Sequence, residues 1–464
     1  WRMLMECLAA GRSISLPGSN TGMQKMTARA VGAYARVRYQ FKTAVGKFEG
    51  VEEALTRIGA NTWLSDAARV MTAGAIDLGE KPSVVSAIVK FHVTERARQT
   101  VNDGMDVIGG KGICLGPQNF LGRAYQQIPV GITVEGANIL TRSLILFGQG
   151  AIRCHPYVLK EMDAARSGDL KSFDEAFWGH VGYTLSNAAR AVVMGLTGSH
   201  FVAVPDAGGK GVAPETRRYY QQLTRFSAAF AFLADISMGT LGGALKRKEK
   251  LSARLGDILS LMYLASAALK RFEDEGRQAA DAPLLHWVIW DCMFKAQNAF
   301  EGVIANFPSR LFATLLRRIV VFPLGRPYFV PSDQLGHEVA TLLINPSATR
   351  DRLTSDVYLP TDVEEPVGAL EAALHATIEA EPVEAKVRRA IKSGQFKPGL
   401  LVGGGVDALY DVAVAAGIIS RDEHALITRR GELRDKVIRV DDFPYDFGLR
   451  QALDGQADEA RKAA

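Results

Sequence analysis

Three short patterns carry residues that could do chemistry. In Ile132-Thr133-Val134-Glu135-Gly136-Ala137-Asn138, a carboxylate stands among apolar neighbours and opens an apolar helix through Leu140, Leu144 and Phe147. Such a carboxylate suits a general base, because desolvation raises its pKa toward a working value. The simpler reading is a helix-start glutamate facing the helix dipole. In Arg36-Val37-Arg38-Tyr39-Gln40-Phe41, expected late on a helix, a guanidinium with a nearby amide offers fixed bidentate donors to a diphosphate. Here the simpler reading is a solvated arginine. In Asp106-Val107-Ile108-Gly109-Gly110-Lys111-Gly112, glycines allow close backbone approach to a ligand and positive φ. A helix C-cap followed by a tight loop reads equally well. No strand precedes this run, so it is not a GxGxxG dinucleotide fingerprint.

In this order and spacing, the three patterns resemble the C-terminal domain of the acyl-CoA dehydrogenase family. That domain is a four-helix bundle bearing an R-x-Q-F segment, a Gly-Gly turn and an E-G segment. The helix from Ser83 to Arg98, with Lys90, and the run from Tyr125 to Ile139 also fit. The resemblance covers roughly the first third of the chain. It is strongest to large bacterial fatty-acid β-oxidation members with an extra C-terminal region, whose character Val134 to Pro156 shares.

The resemblance implies a role for each matching position. Glu135 is the catalytic base, followed by Gly136. Arg38 meets the pyrophosphate of FAD, and Gln40 and Phe41 take the next two flavin-contacting places. Gly109 and Gly110 approach the adenylate portion from a neighbouring subunit. Arg12 lies on the first helix near the substrate. Glu135 would take the α-proton of an acyl-CoA thioester while the β-hydrogen leaves as hydride to the flavin, giving a trans-2-enoyl-CoA. The implied partners are the acyl-CoA substrate, an electron-transfer flavoprotein and further copies of the chain. An acyl-CoA oxidase and a non-catalytic helical interaction module are the alternatives. Departures are Lys42 where glycine is usual, Asp106 where glutamine is common, and Ala137 and Ile139 in place of threonine and glutamine. Some members carry the base on the first helix, just before the arginine. Here Ala9-Ala10-Gly11-Arg12 holds no carboxylate, which points to Glu135.

The elements that must position these residues are helical. Tyr219, Leu223, Phe226, Phe230 and Leu233 recur by fours and threes, as do Leu255, Ile258, Leu259 and Met262. Period-two alternation is rare. The expected fold class is all-α: a four-helix bundle over 1–155, then a second helical domain over 156–464, divided at His155-Pro156. Leu16-Pro17-Gly18-Ser19-Asn20 is expected to interrupt an opening helix, and 345–367 to be a surface loop. Leu401-Val402-Gly403-Gly404-Gly405 reads as a turn and 451–464 as a fraying tail. The opening Trp-Arg-Met-Leu reads as a fragment entered mid-helix, without the family's N-terminal and middle β-domains.

Composition narrows the function classes. A net charge of +5 on 464 residues, without a long basic block, argues against nucleic acid as a partner. Four scattered cysteines suggest no disulfide framework and no zinc site. The histidines, His180 among them, show no ligand spacing, so no metal is expected. No apolar run reads as long enough to span a bilayer. Residues 302–332 hold no Asp or Glu but four arginines, and Phe307, Leu311, Phe312, Leu315, Leu316, Ile319 and Phe322 share one half of a helical wheel. Residues 306–322 are therefore expected to form a basic amphipathic helix on a membrane surface, or a helix packed on the bundle. The expected location is the cytoplasm, with peripheral contact at a bacterial inner membrane.

Overall fold

The computed structural model describes residues 2–80, 83–206, 209, 211–397, 406–446 and 450. The turn at 401–405 and the tail at 451–464 lie outside them. The described chain is all-α apart from one two-stranded hairpin. Helices α1 (Arg2–Val37), α2 (Glu49–Asp77) and α3 (Ser83–Ile108) pack on one another, and α4 (Gly122–Thr133) lies on α3. On α1, Ala28, Val31 and Ala35 recur by threes and fours and meet Leu55 and Ile58 of α2 and Val89 and Val93 of α3, all fully buried. Each large aliphatic side chain so buried contributes roughly 1.5–3 kcal/mol.

Helix α1 is not interrupted at Pro17, contrary to expectation. Proline removes a donor and loosens the preceding turn. Ser19 Oγ and Asn20 Nδ2 donate to the Leu16 carbonyl at 3.2 and 2.9 Å. Local bonds and the buried face further along carry the helix through.

After α4 the chain turns into α5, which spans 138–153 and contains a π-helical turn at Thr141–Ile145. Then follow α6 (Leu170–Leu196), α7 (Arg217–Leu241), α8 (Glu249–Asp274), α9 (Ala282–Ala305), α10 (Asp333–Ile344), α11 (Pro366–Lys392) and α12 (Arg421–Ile438), with shorter helices between. The expected faces of α7 and α8 are core: Leu223, Phe226, Leu233, Leu255 and Ile258 are buried. Helix α8 packs on α2 as well as on α9, and one apolar cluster runs from α1 through α9. By length and composition, Arg217–Arg247 is long and apolar enough to cross a membrane, which the sequence reading did not register. Its buried Arg225 and Asp235 and its packing on α6 and α8 tie it to this core.

Two other segments depart from expectation. Residues 345–367 are not only surface loop: helix Ala348–Leu353 buries Arg350 completely. Its guanidinium donates to Glu371 on α11 at 2.5 and 3.1 Å and to the Arg29 carbonyl on α1 at 2.9 Å. Arg29 joins the same cluster through Glu371 and Asp351, each at 2.6 Å. Residues 306–322 form not one amphipathic helix but Arg310–Leu315 followed by a π-helical stretch, Leu316–Val321. The expected apolar face is split. Phe307, Leu316 and Phe322 are buried in the core, while Leu311, Phe312 and Leu315 are exposed.

Candidate active site

Glu135 lies in the turn between α4 and α5, where it and Gly136 take positive φ of +53° and +96°. Holding a non-glycine residue there costs on the order of 1 kcal/mol, and the neighbouring helices supply the bonds that hold it. Arg12 Nε on α1 donates to the Glu135 carbonyl at 3.0 Å. Lys90 Nζ on α3 donates to the Gly136 carbonyl at 2.7 Å and to Asn138 Oδ1 at 2.6 Å. Thr141 Oγ1 donates to the Gly136 carbonyl at 3.2 Å. Asn138 Nδ2 in turn donates to Thr94 Oγ1 at 2.9 Å and Glu95 Oε1 at 2.8 Å.

This leaves the carboxylate uncommitted. Glu135 is half-buried, and its Oε2 is shielded from solvent without a hydrogen-bond partner. An unpartnered buried polar oxygen is costly, which makes this carboxylate a candidate site. The other oxygen faces Gly11, where an added Cβ would stand 2.9 Å from Oε1. Gly11 is thus small because the carboxylate occupies its space. Two cations stand by. Burial lowers the Arg12 guanidinium from its ordinary value, with Glu135 opposing that shift. Burial and then the charge of Arg12 lower the Lys90 amine to about 8, against Glu135 and Glu95.

The remaining expected residues gather at the other end of α1. The helix stops at Val37, so Arg38 to Phe41 does not lie on a helix. Instead Tyr39–Gln40 pairs antiparallel with Thr43–Ala44, and the turn residues Phe41 and Lys42 both take positive φ. Gln40 and Phe41 are exposed at the hairpin tip. The Arg38 guanidinium sits 6.0 Å from the Tyr34 ring, and Tyr34 Oη donates to the Ile108 carbonyl at 3.4 Å. Tyr34 therefore couples Arg38 to the turn at Gly109 and Gly110. Gly109 takes φ +60°, and no atom stands within 4 Å of an added Cβ at either glycine. Arg38 pairs with no carboxylate among the described residues. A guanidinium without a carboxylate partner, linked through Tyr34 to open glycine backbone, suits a diphosphate. Asp106, in the adjoining 590 Å³ groove with Gly109, disfavours phosphate on that side.

From Arg12 to Val37, the last residue of α1 before Arg38, the helix rises about 37 Å. Within one chain, Glu135 and Arg38 therefore do not border one cavity. Sequence reasoning also missed Gly11 as the seat of the carboxylate and Asn138 as its brace. The only available signal was Asn138 three residues after Glu135.

A second cluster had no sequence signal. His155, His180 and Asp235 converge from three places, their ligand atoms within 4.8 Å of one another. His155 Nδ1 accepts the Tyr157 and Val158 amides, each at 3.2 Å, so its proton resides on Nε2 and is donated to Asp235 at 3.0 Å. His180 Nδ1 meets Glu161 at 2.8 Å, and Thr184 donates to Asp235 at 2.8 Å. These bonds fasten the His155-Pro156 junction to α6 and α7.

Fold and site define a helical bundle with a half-buried carboxylate in the turn between two of its helices. Residues 1–147 match the family described as acyl-CoA dehydrogenase, C-terminal domain, and residues 152–443 match acyl-CoA dehydrogenase, C-terminal, bacterial type. The chain belongs to the acyl-CoA dehydrogenase family. A probable acyl-CoA dehydrogenase of Bacillus subtilis is 21% identical over 343 residues, covering 67% of this chain and 51% of that protein. The probable acyl-CoA dehydrogenase FadE10 of Mycobacterium tuberculosis is 23% identical over 337 residues, covering 66% and 49%. The chain thus spans about half the length of these relatives. A crystal structure of an acyl-CoA dehydrogenase complexed with FAD from Bacillus anthracis shares the fold, with TM-score 0.55 and 17% identity over 73% of this chain and 56% of that one.

Proposed function

We propose that this chain supplies the base and part of the dinucleotide site for FAD-dependent α,β-dehydrogenation of acyl-CoA thioesters to trans-2-enoyl-CoA, a β-oxidation step. The observation that carries this reading is the buried, unpartnered Oε2 of Glu135. That oxygen takes the α-proton. Arg12 and Lys90 fix the two carbonyls beside it, so the carboxylate keeps its aim while its charge changes. The two cations also favour the enolate charge that develops as the proton leaves. FAD, when bound, supplies the acceptor for the β-hydrogen. Arg38 would hold its diphosphate and Gly109 and Gly110 its adenylate end, with Gln40 and Phe41 alongside.

The length of α1 favours a homo-oligomer, because the two ends of that helix are too far apart to serve one dinucleotide. Each flavin would take Glu135 from one subunit and Arg38 from its neighbour. An electron-transfer flavoprotein is the proposed acceptor. The proposed location is cytoplasmic, with peripheral membrane contact through the exposed Leu311, Phe312 and Leu315. The test is Glu135→Gln in the full-length protein. Flavin should remain bound, while bleaching of its absorbance by acyl-CoA slows by roughly 10²–10⁴-fold. Bleaching at the wild-type rate would remove Glu135 from the reaction.

A further inference from the structure

The residues that follow α12 return to the first bundle. The end of that helix is seated in the core, with Val437 buried and Ile438 packed against the same apolar cluster. The chain then crosses the loop that follows the Gly109-Gly110 turn, 323 to 328 positions earlier in sequence. Lys111 Nζ donates to the Arg439 carbonyl at 2.8 Å, and the Gln118 amide donates to Asp441 Oδ1 at 3.0 Å. Gly116 is the seat of this strap: a Cβ there would stand 2.3 Å from Asp441 Cγ. Lys111 is 7% exposed, and burial lowers its amine from the ordinary value while Asp441 opposes that shift.

The loop does not need these contacts to close. Asn119 Nδ2 donates to the carbonyls of Lys111, Gly112 and Cys114 at 3.2, 2.9 and 2.9 Å. Its Oδ1 accepts the Leu121 and Gly122 amides at 2.9 and 2.7 Å. One side chain thus knits the loop internally. What the strap adds is an anchor to the rest of the molecule, through a charge-assisted bond roughly twice as strong as a neutral one. The anchored segment also shapes the groove beside the turn, which Gly109, Ile113 and Tyr125 line.

We propose that Asp441 is a positioning residue for the dinucleotide. Through the Gln118 amide and the Gly116 seat, with Lys111 beside it, it holds the Gly109-Gly110 turn where the ligand meets it. The proposal rests on the reading that this turn approaches the adenylate end of FAD. It gives the second portion of the chain a task at the site, because the strap falls within residues 152–443 and the turn within 1–147. Backbone that contacts a ligand acts only when its support fixes it to within about 0.5 Å, and an internally knit loop without an anchor lacks that support.

Two variants release the strap from opposite sides. Asp441→Ala removes the acceptor, and Gly116→Ala fills the seat. In this chain, hydrogen exchange at the Gln118 amide should quicken about tenfold or more in both, with the melting temperature little changed. In the full-length protein, FAD should bind about tenfold more weakly to both. Asp441→Asn keeps an acceptor oxygen and should recover most of that affinity, which a purely structural role would not require. Arg38→Gln is the control, expected to weaken FAD without altering exchange at Gln118. If one strap variant fails to fold, the other decides. Unchanged exchange in the folded variants overturns the strap as an anchor. Faster exchange with wild-type FAD affinity, while Arg38→Gln binds FAD weakly, overturns the positioning role and leaves the dinucleotide reading standing. Wild-type FAD affinity in Arg38→Gln as well overturns that reading and the proposal with it.

Discussion

At the scale of single residues, the site depends on which atoms surround the Glu135 carboxylate. Gly11 offers the sharpest probe, because a methyl group there would stand 2.9 Å from Oε1. Gly11→Ala in the full-length protein should displace the carboxylate and slow acyl-CoA-dependent flavin bleaching by roughly 10²-fold, with flavin content unchanged. An unaltered rate would mean that the carboxylate adapts freely. Lys90 gives a pH test. Its amine titrates at about 8 in the folded chain against an ordinary 10.5, so between these values the unfolded chain binds more protons than the folded one. Stability from this group therefore rises with pH across that window. Melting temperatures of wild type and Lys90→Met, compared over it, should show the wild type gaining on the variant. A constant difference would remove Lys90 as the titrating group. Glu135 was legible in the sequence as a carboxylate at a loop-to-helix junction, and Arg12 through its place on the first helix in the family resemblance. Gly11 and the His155, His180 and Asp235 cluster were not, because their meaning comes only from residues brought in by folding.

At the scale of elements, α1 to α4 and the long helices after them follow from apolar residues recurring by threes and fours. The hairpin at Tyr39 to Ala44 does not. Its turn demands left-handed backbone at two positions and offers neither glycine nor asparagine, the residues that announce such turns. Lys42 stands where the family usually has glycine, and its φ of +64° explains that preference. Lys42→Gly should raise stability by about 1 kcal/mol, read as a higher denaturant midpoint with unchanged slope. A lower midpoint would show that the lysine side chain contributes more than its backbone strain costs. Residues 306–322 mislead for the opposite reason. Their helical wheel is sound for a straight α-helix, but the π-helical stretch rotates the later residues, so Phe322 turns into the core while Leu315 stays outside.

At the scale of the whole molecule, ion pairs hidden between distant segments join the two portions. Arg350 bridges α1 and α11, and Asp66 on α2 receives Lys25 of α1 at 2.9 Å and Arg271 of α8 at 3.2 Å. Partners more than 200 positions apart in sequence give no local signal, so 345–367 read as loop. Arg350→Met removes a guanidinium 1% exposed and leaves Glu371 with Arg29 as its remaining cation, which should cost about 2–3 kcal/mol in a denaturant melt. A loss under 1 kcal/mol would deny the cluster its role. For Glu371, burial acts to raise the carboxyl, but Arg350 and Arg29 hold it below its ordinary 4.5. Its contribution is complete above that value and disappears as pH falls through the lower folded value, so Arg350→Met should narrow the acid side of the stability profile.

The reach of α1 has a genetic corollary. If each catalytic centre draws its carboxylate from one protomer and its guanidinium from another, two inactive alleles can rescue each other. Arg38→Ala protomers retain the carboxylate and Glu135→Gln protomers retain the guanidinium, so every mixed pair contains one intact centre. Co-expression in equal amounts should restore about a quarter of normal turnover from two dead parents. No rescue would mean that both groups serve from the same protomer.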